Sequence, residues 1–307
     1  MHRVSPAELF IAQRVNALTR TWSGAREGDV RAIHQARVAS RRLREALPLI
    51  GSEKPARGVG RTARRLTRAL GPVRELDVVL QMLTEFEASG DVPPAAIACL
   101  RGVIAEERRR LHDVMVRRLD RCDPAKLRKK ALAAARRAPA AAGTRGARDP
   151  QRLAAAQQRA AVRAERLRAA IDGAAAIYLP DRLHEVRIAV KKLRYAMEIV
   201  KEVSGSRAAA SILTLKRAQD LLGRMHDLEV LIARTRAMQG SAQVPNLRLS
   251  GELDGLVRRL ETECRQLHGR YMTSRAKLLS ICDRVTTARD RRAHKASPHE
   301  KHKASAA

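Results

Sequence analysis

An all-α fold of two homologous helical halves is what this sequence predicts, and three observations carry the prediction. Apolar residues recur at three- and four-residue spacing through nearly the whole chain, without strand-like alternation. A basic stretch, HQARVASRRLREALPLI from His34, returns as HEVRIAVKKLRYAMEIV from His184. A second stretch, LGPVRELDVVL from Leu70, returns as LGRMHDLEVLI from Leu222. The offsets are 150 and 152 residues, and the order is the same. Two motifs kept in order at that distance mark a duplication, and the halves are expected to pack about a pseudo-twofold axis.

The elements follow in sequence. Ser5-Pro6-Ala7-Glu8 has the form of a capping box with proline at the first helical position, opening a helix to about residue 22. Asp29 opens the helix of the first motif, to about residue 50, and Pro48 is expected to kink or end it. A third helix over 57–70 closes at Gly71-Pro72, a fourth covers 74–87, and a long fifth runs from the prolines at 93 and 94 to about 121. Residues 1–123 are thus the first half. In the second half, 149–285, Asp149-Pro150 opens a helix to about 170 and Asp181 opens the second motif, to about 203. Helices follow over 207–222, closed by Gly223, then 225–238 and 250–281. Between the halves, 124–148 is Ala- and Arg-rich and broken by Pro139, Gly143 and Gly146, which predicts a linker with a short helix in its front part. The polar, basic residues 286–307 are expected to be a disordered tail.

Charge narrows the function. The chain of 307 residues carries 62 Lys and Arg against 32 Asp and Glu, a formal net charge of +30. Compositional bias toward Arg and Ala accounts for part of this. The remainder calls for a polyanionic partner, because such an excess repels itself in a compact fold. The aromatic residues are Phe10, Trp22, Phe86, Tyr178, Tyr195 and Tyr271, too few for a protein that reads single strands by stacking. Cys99, Cys122, Cys264 and Cys282 have no zinc-ligand spacing and fit small apolar residues of a reduced compartment. No stretch approaches the roughly 20 apolar residues of a membrane helix, and the N-terminus lacks a signal-like apolar run. The expectation is a soluble cytoplasmic protein.

The repeated motif says where the charge lies. On a helix with His34 at zero, Arg37, Arg41 and Arg44 fall at about −60°, −20° and −80°, a single narrow stripe. Ala36, Ala39, Leu43, Ala46, Leu47 and Ile50 fall opposite and should face a core. In the second copy His184, Arg187, Lys191 and Arg194 make the stripe, and Val186, Ala189, Leu193, Ala196, Met197 and Val200 the core face. Arg42 and Lys192 sit on the flank. Like charges at this spacing repel by a few tenths of a kcal/mol per pair. A merely solvated helix would interleave acids, yet Glu45 and Glu198 come only at the end. The stripe therefore predicts a row of anion-binding groups, with guanidinium forks suited to phosphate oxygens. The third helices add Arg61, Arg64, Arg65 and Arg68, with Lys216 and Arg217 at the places of Arg64 and Arg65, and Asp220 at that of Arg68. The acids Glu75, Asp77, Asp227 and Glu229 are expected to orient arginines or cap helices rather than bind metal.

At HQARVASRRLREAL, LHEVRIAVKKLRYAMEIV, LGPVRELDVV and LGRMHDLEVL the sequence resembles the CHAD domain family, the conserved-histidine α-helical domain, over about residues 5–283. The resemblance implies two similar helical bundles with a basic central cavity, binding of inorganic polyphosphate and, for some members, location at polyphosphate granules. Carried over by position, it implicates His34, Arg37, Arg41, Arg42 and Arg44, with His184, Arg187, Lys191, Lys192 and Arg194. Glu45 stands where the second copy has Tyr195, so the halves need not bind equally. No β-strand pattern with alternating Glu accompanies the motif, so the triphosphatase domain joined to many relatives is not expected.

The expectation is thus a non-enzymatic polyphosphate binder without cofactor or metal. A histone-like nucleic-acid-binding protein is the alternative, favoured by net charge and tail but lacking a helix-turn-helix module. An enzyme of phosphate transfer would need a phosphate loop, a nucleophile triad or a metal cluster, and the sequence offers none.

Overall fold

Helix α1 (Pro6–Arg20) leads into the short α2 (Trp22–Glu27), which stops at Gly28. Gly28 adopts φ +89°, a conformation that glycine takes without strain, and the Nε2 of His112 leaves little room for a Cβ there. Asp29 then caps α3 (Val30–Ala46), its carboxylate accepting from the Ala32 backbone N–H at 2.6 Å. The computed structural model describes residues 6–49, 54–137, 150–174, 176–204, 208–240 and 247–296. Ser5 of the expected capping box, Ile50, Asp149 and the back of the expected linker lie outside these residues.

The first motif helix gives way at Leu47 to a 3₁₀ turn containing Pro48, as a proline lacking its N–H requires. Next comes α4 (Lys54–Ser89), and here the structure corrects the sequence reading. Gly71-Pro72 does not separate two helices; the helix runs through both. Pro72 is exposed, and Gly71 leaves room for the guanidinium of Arg37, which lies 3.0 Å from where a Cβ would stand. The proline forgoes one backbone bond, but packing on both sides of it keeps the helix whole: Leu70, Val73, Leu76 and Val79 are all buried. Helix α5 (Pro94–Leu119) starts with proline in its first turn. Helix α6 (Pro124–Arg136) is capped by Asp123, which accepts from the N–H groups of Ala125 and Lys126.

In the second half α7 (Pro150–Gly173), α8 (Pro180–Ser204), α9 (Ala209–Gln239) and α10 (Leu247–Ala296) follow. Gly223, like Gly71, lies inside its helix rather than ending one. Helix α10 continues past 285 to Ala296, so 286–296 of the expected disordered tail are helical; 297–307 lie outside the described residues. Among the described residues there is no strand.

The chain forms two compact units that are not collinear with the repeat. Unit 1 holds α1–α6 together with Asp227–Thr262, the end of α9 and the start of α10. Within it α3 packs on α4, α4 on α5 and α6, and α1 on α3 and α6. Arg136 reaches Glu8 at 2.7 Å, tying α6 to α1, so the front of the expected linker is an integral part of this unit. Arg234 of α9 is held by Glu107 at 2.5 Å and Glu75 at 3.7 Å. Unit 2 holds α7, α8, the start of α9 up to His226 and α10 from Glu263. Helix α7 packs on α8 and is tied to α10 by Arg168–Asp283 and by Arg289–Glu165 at 2.6 Å.

Both motif helices bury the face expected. Ala36, Ala39, Leu43, Ala46 and Leu47 are buried, as are Val186, Ala189, Leu193, Ala196 and Met197. Val200 is half-buried. At about 25 cal/mol per Å² of apolar area, these faces seat each motif helix and set which way its basic stripe points.

Candidate anion-binding site

In unit 1 the stripe of α3 adjoins α4. Arg37 is half-buried, its Nη1 donating to the Thr67 carbonyl at 2.9 Å, with Gly71 one turn on giving it room. Ser40 and Thr67 share a buried hydrogen bond of 2.8 Å. These contacts fix the register of α3 on α4. His34 and Arg42 are exposed, and Arg41 and Arg44 half-buried, with Arg44 3.9 Å from Glu45. Arg64 and Arg65 are exposed on α4. Partial desolvation of the ring against the protein, then the guanidinium groups of Arg74, Arg37 and Arg41, hold the His34 imidazole below its ordinary value although the residue as a whole is exposed. The structure thus gathers His34, Arg37, Arg41 and Arg74 into one electropositive region.

Unit 2 repeats the plan with different details. Arg187 is the counterpart of Arg37, and its Nε lies 4.0 Å from where a Cβ of Gly223 would stand. Gln219, the counterpart of Thr67, receives Arg194 Nε at 2.9 Å. Arg194 also pairs with Glu198 and lies over the Tyr195 ring, 4.5 Å from its centroid. It ties α8 to α9 within this unit. Lys191 and Lys192 are half-buried; Arg217 is exposed, and so is Lys216, which pairs with Asp220 at 3.0 Å.

His184 meets a partner that sequence reasoning did not foresee. Its Nδ1 lies 3.2 Å from Nδ1 of His226, so one ring donates and the other accepts. Burial first, then Arg187, His184 and Lys191, push His226 down to about 4. Burial and the cations Arg187 and Lys191 also lower His184. The signal was in the alignment of the repeats, where His226 stands in place of Arg74; its contact with His184 needed the packing of α8 on α9.

The pair has a consequence for stability. An unfolded His226 takes up a proton near its ordinary value of 6.5, whereas the folded one waits until about pH 4. The unfolded state therefore binds more protons between these values, and stability falls as pH falls through that window. Thermal unfolding at pH 7 and pH 5 should show a lower midpoint at pH 5. His226→Gln, which cannot titrate, should shrink that difference; an unchanged difference would exclude the pair as its source.

The acids behave as orienting groups where their partners are visible. Asp77 accepts from Arg108 Nε at 2.6 Å, and Glu75 holds Arg234. Among the described residues no three His, Cys, Asp or Glu side chains converge on a metal-sized site. No described helix is long and apolar enough to cross a membrane.

The fold and the two stripes define a helical repeat domain with a basic motif helix seated on a glycine-bearing helix in each unit. The chain belongs to the CHAD domain family, whose model matches residues 10–236. Among solved structures it is similar to the CHAD domain from the plant Ricinus communis, with 21% identity and a TM-score of 0.64, over 90% of this chain and 91% of that one. It is likewise similar to PptA from Streptomyces chartreusis, with 17% identity and a TM-score of 0.64, over 87% of this chain and 97% of that one. At these identities the likeness is one of fold. No curated protein sequence matches the chain.

Proposed function

We propose that this protein binds inorganic polyphosphate without chemically altering it. The observation that carries the proposal is the recurrence of one arrangement in both units: a motif arginine beside the glycine of the neighbouring helix, with a histidine lowered first by partial burial and then by the cations around it. The cations of each motif helix add a positive field to this, opposed beside His184 only in part by Asp181 and Glu185. Such a field is what a polyanion would neutralise. The stripe residues are the proposed contacts: His34, Arg37, Arg41, Arg42 and Arg44 with Arg64 and Arg65 in unit 1, and His184, Arg187, Lys191 and Lys192 with Arg217 in unit 2. Arg194 and Lys216 already have carboxylate partners and serve to shape the surface. Family membership supports the same ligand class, and a cytoplasmic role at polyphosphate granules is the biological setting proposed.

The alternative, a histone-like nucleic-acid binder, rests on net charge and the basic tail. Phe10, Phe86, Tyr195 and Tyr271 are buried and unavailable for base stacking. Competition separates the two. Bound, labelled long-chain polyphosphate is challenged at near-physiological salt with duplex DNA of equal phosphate concentration. Poor displacement is expected. Displacement phosphate for phosphate would make the protein a general polyanion binder.

A further inference from the structure

Unit 1 carries a second basic concavity, on the side of α4 that meets α6. It is a cleft of about 1220 Å³ between the front of α4, the end of α5 and α6. Helix α4 contributes Arg61, Arg65 and Arg68. The end of α5 and the turn after it contribute Arg118 and Arg121, and α6 contributes Lys126 and Lys130 with Arg137 at its close. The floor is apolar, from Val59, Leu66, Ala69 and Leu127.

Among the described residues the acids lining the cleft are Asp120 and Asp123, and both are engaged. Asp120 pairs with Arg26 at 2.8 Å. Asp123 caps α6 through two backbone N–H groups and lies 3.7 Å from Lys126. Arg61, Arg65, Arg68, Arg118, Arg121 and Lys130 form no ion pair or side-chain hydrogen bond with any described residue. The cleft therefore gathers uncompensated positive charge at a cost in self-repulsion that a bound anion would relieve. Cys122 is not its chemistry: burial is the largest influence on its thiol and raises it, keeping it protonated.

Composition alone does not explain the cleft's α4 arginines, because two of the three differ in the other half while Arg217 keeps the place of Arg65. At the same offset Arg61 becomes Leu213, which is 48% exposed, and Arg68 becomes Asp220, which pairs with Lys216. The α4 arginines also connect the cleft to the motif stripe. Arg64 and Arg68 are one turn apart, and Thr67 and Gly71 beside them receive Arg37. A flexible phosphate chain lying on the stripe can cross α4 over Arg64 and Arg68 and continue into the cleft.

We propose that the α4–α6 cleft is a second anion-binding segment of unit 1, holding the continuation of a long phosphate chain and thereby favouring long chains over short ones. This rests on the polyphosphate reading above. Only a chain long enough to span both segments gains from the cleft, as when two linked sites are engaged at once.

The test is Arg121→Glu with Lys130→Glu in the full-length chain. Both side chains are exposed and unpaired among the described residues, so the fold should survive, and circular dichroism checks it. Affinities for tripolyphosphate and for long-chain polyphosphate are measured for parent and variant. The expected result is a loss of about tenfold or more for the long chain, with tripolyphosphate affinity unchanged. A parent that binds both and a folded variant that loses neither, or loses both alike, overturns the cleft proposal alone. A parent that binds neither phosphate overturns the polyphosphate reading and the cleft proposal with it.

Discussion

Arg41→Glu combined with Lys191→Glu should lower polyphosphate affinity by more than about a hundredfold at near-physiological salt. Each substitution removes an attractive contact and adds a repulsive one, and one falls on each motif helix. The loss should come with a shallower dependence of affinity on salt, because fewer counterions are released when fewer cations engage the chain. Helicity should be kept. Both side chains lie opposite the buried faces of α3 and α8, and Arg41 makes no ion pair or side-chain hydrogen bond with a described residue. Fluorescence titration across a salt series, with circular dichroism on the same samples, reads both quantities. A folded double variant that binds as the parent does would place the ligand elsewhere than the stripes. The single variants should each lose less, and unequal losses would give the asymmetry expected from Glu45 and Tyr195 a measurable form.

What the sequence disclosed was whatever helical periodicity encodes. The core face of α3 was readable from alanines and leucines at three- and four-residue spacing, and Leu43 and Ala46 are fully buried. The basic stripe followed because it is the complement of that face. What was misread has a physical cause too. Gly71-Pro72 has the local chemistry of a helix end, yet tertiary packing along Leu70, Val73 and Leu76 outweighs it, and the glycine instead makes room for Arg37. Local propensity is a weak prior against packing on this scale.

Helix α6 was taken for the front of a linker because its buried face, Leu127, Ala131, Ala134 and Ala135, is mostly alanine and carries little hydrophobic signal. Its cations were set aside with it, and so the α4–α6 cleft was missed. The division into units was equally hidden. That Asp227–Thr262 packs with the first half depends on contacts between residues far apart in sequence, and no local pattern records those.

Asp77→Ala should be the most destabilising single polar substitution in unit 1, costing about 3–5 kcal/mol. Asp77 is the one buried acid among the described residues of this unit, its side chain 0% exposed, against 19% for that of Arg108. Arg108 Nε donates to its carboxylate at 2.6 Å, and the Nη2 donates to the Gly28 carbonyl at 2.9 Å. One guanidinium thus joins α4 and α5 to the turn that launches α3. Removing the carboxylate leaves that cation largely desolvated and without its counter-charge, a larger penalty than the pair's own net worth. The comparison that proves this cause is Asp77→Leu with Arg108→Met. With both charges gone and apolar volume retained, much of the lost stability should return. Denaturant midpoints of the two single variants and the double variant complete the cycle. Equal destabilisation in Asp77→Ala and the double variant would show that packing at residue 77, not a stranded cation, sets the cost. Because the same guanidinium steadies the start of α3, Asp77→Ala should also weaken polyphosphate binding at temperatures where the unit is still folded, and the double variant should recover binding only as far as it recovers the seating of α3 on α4.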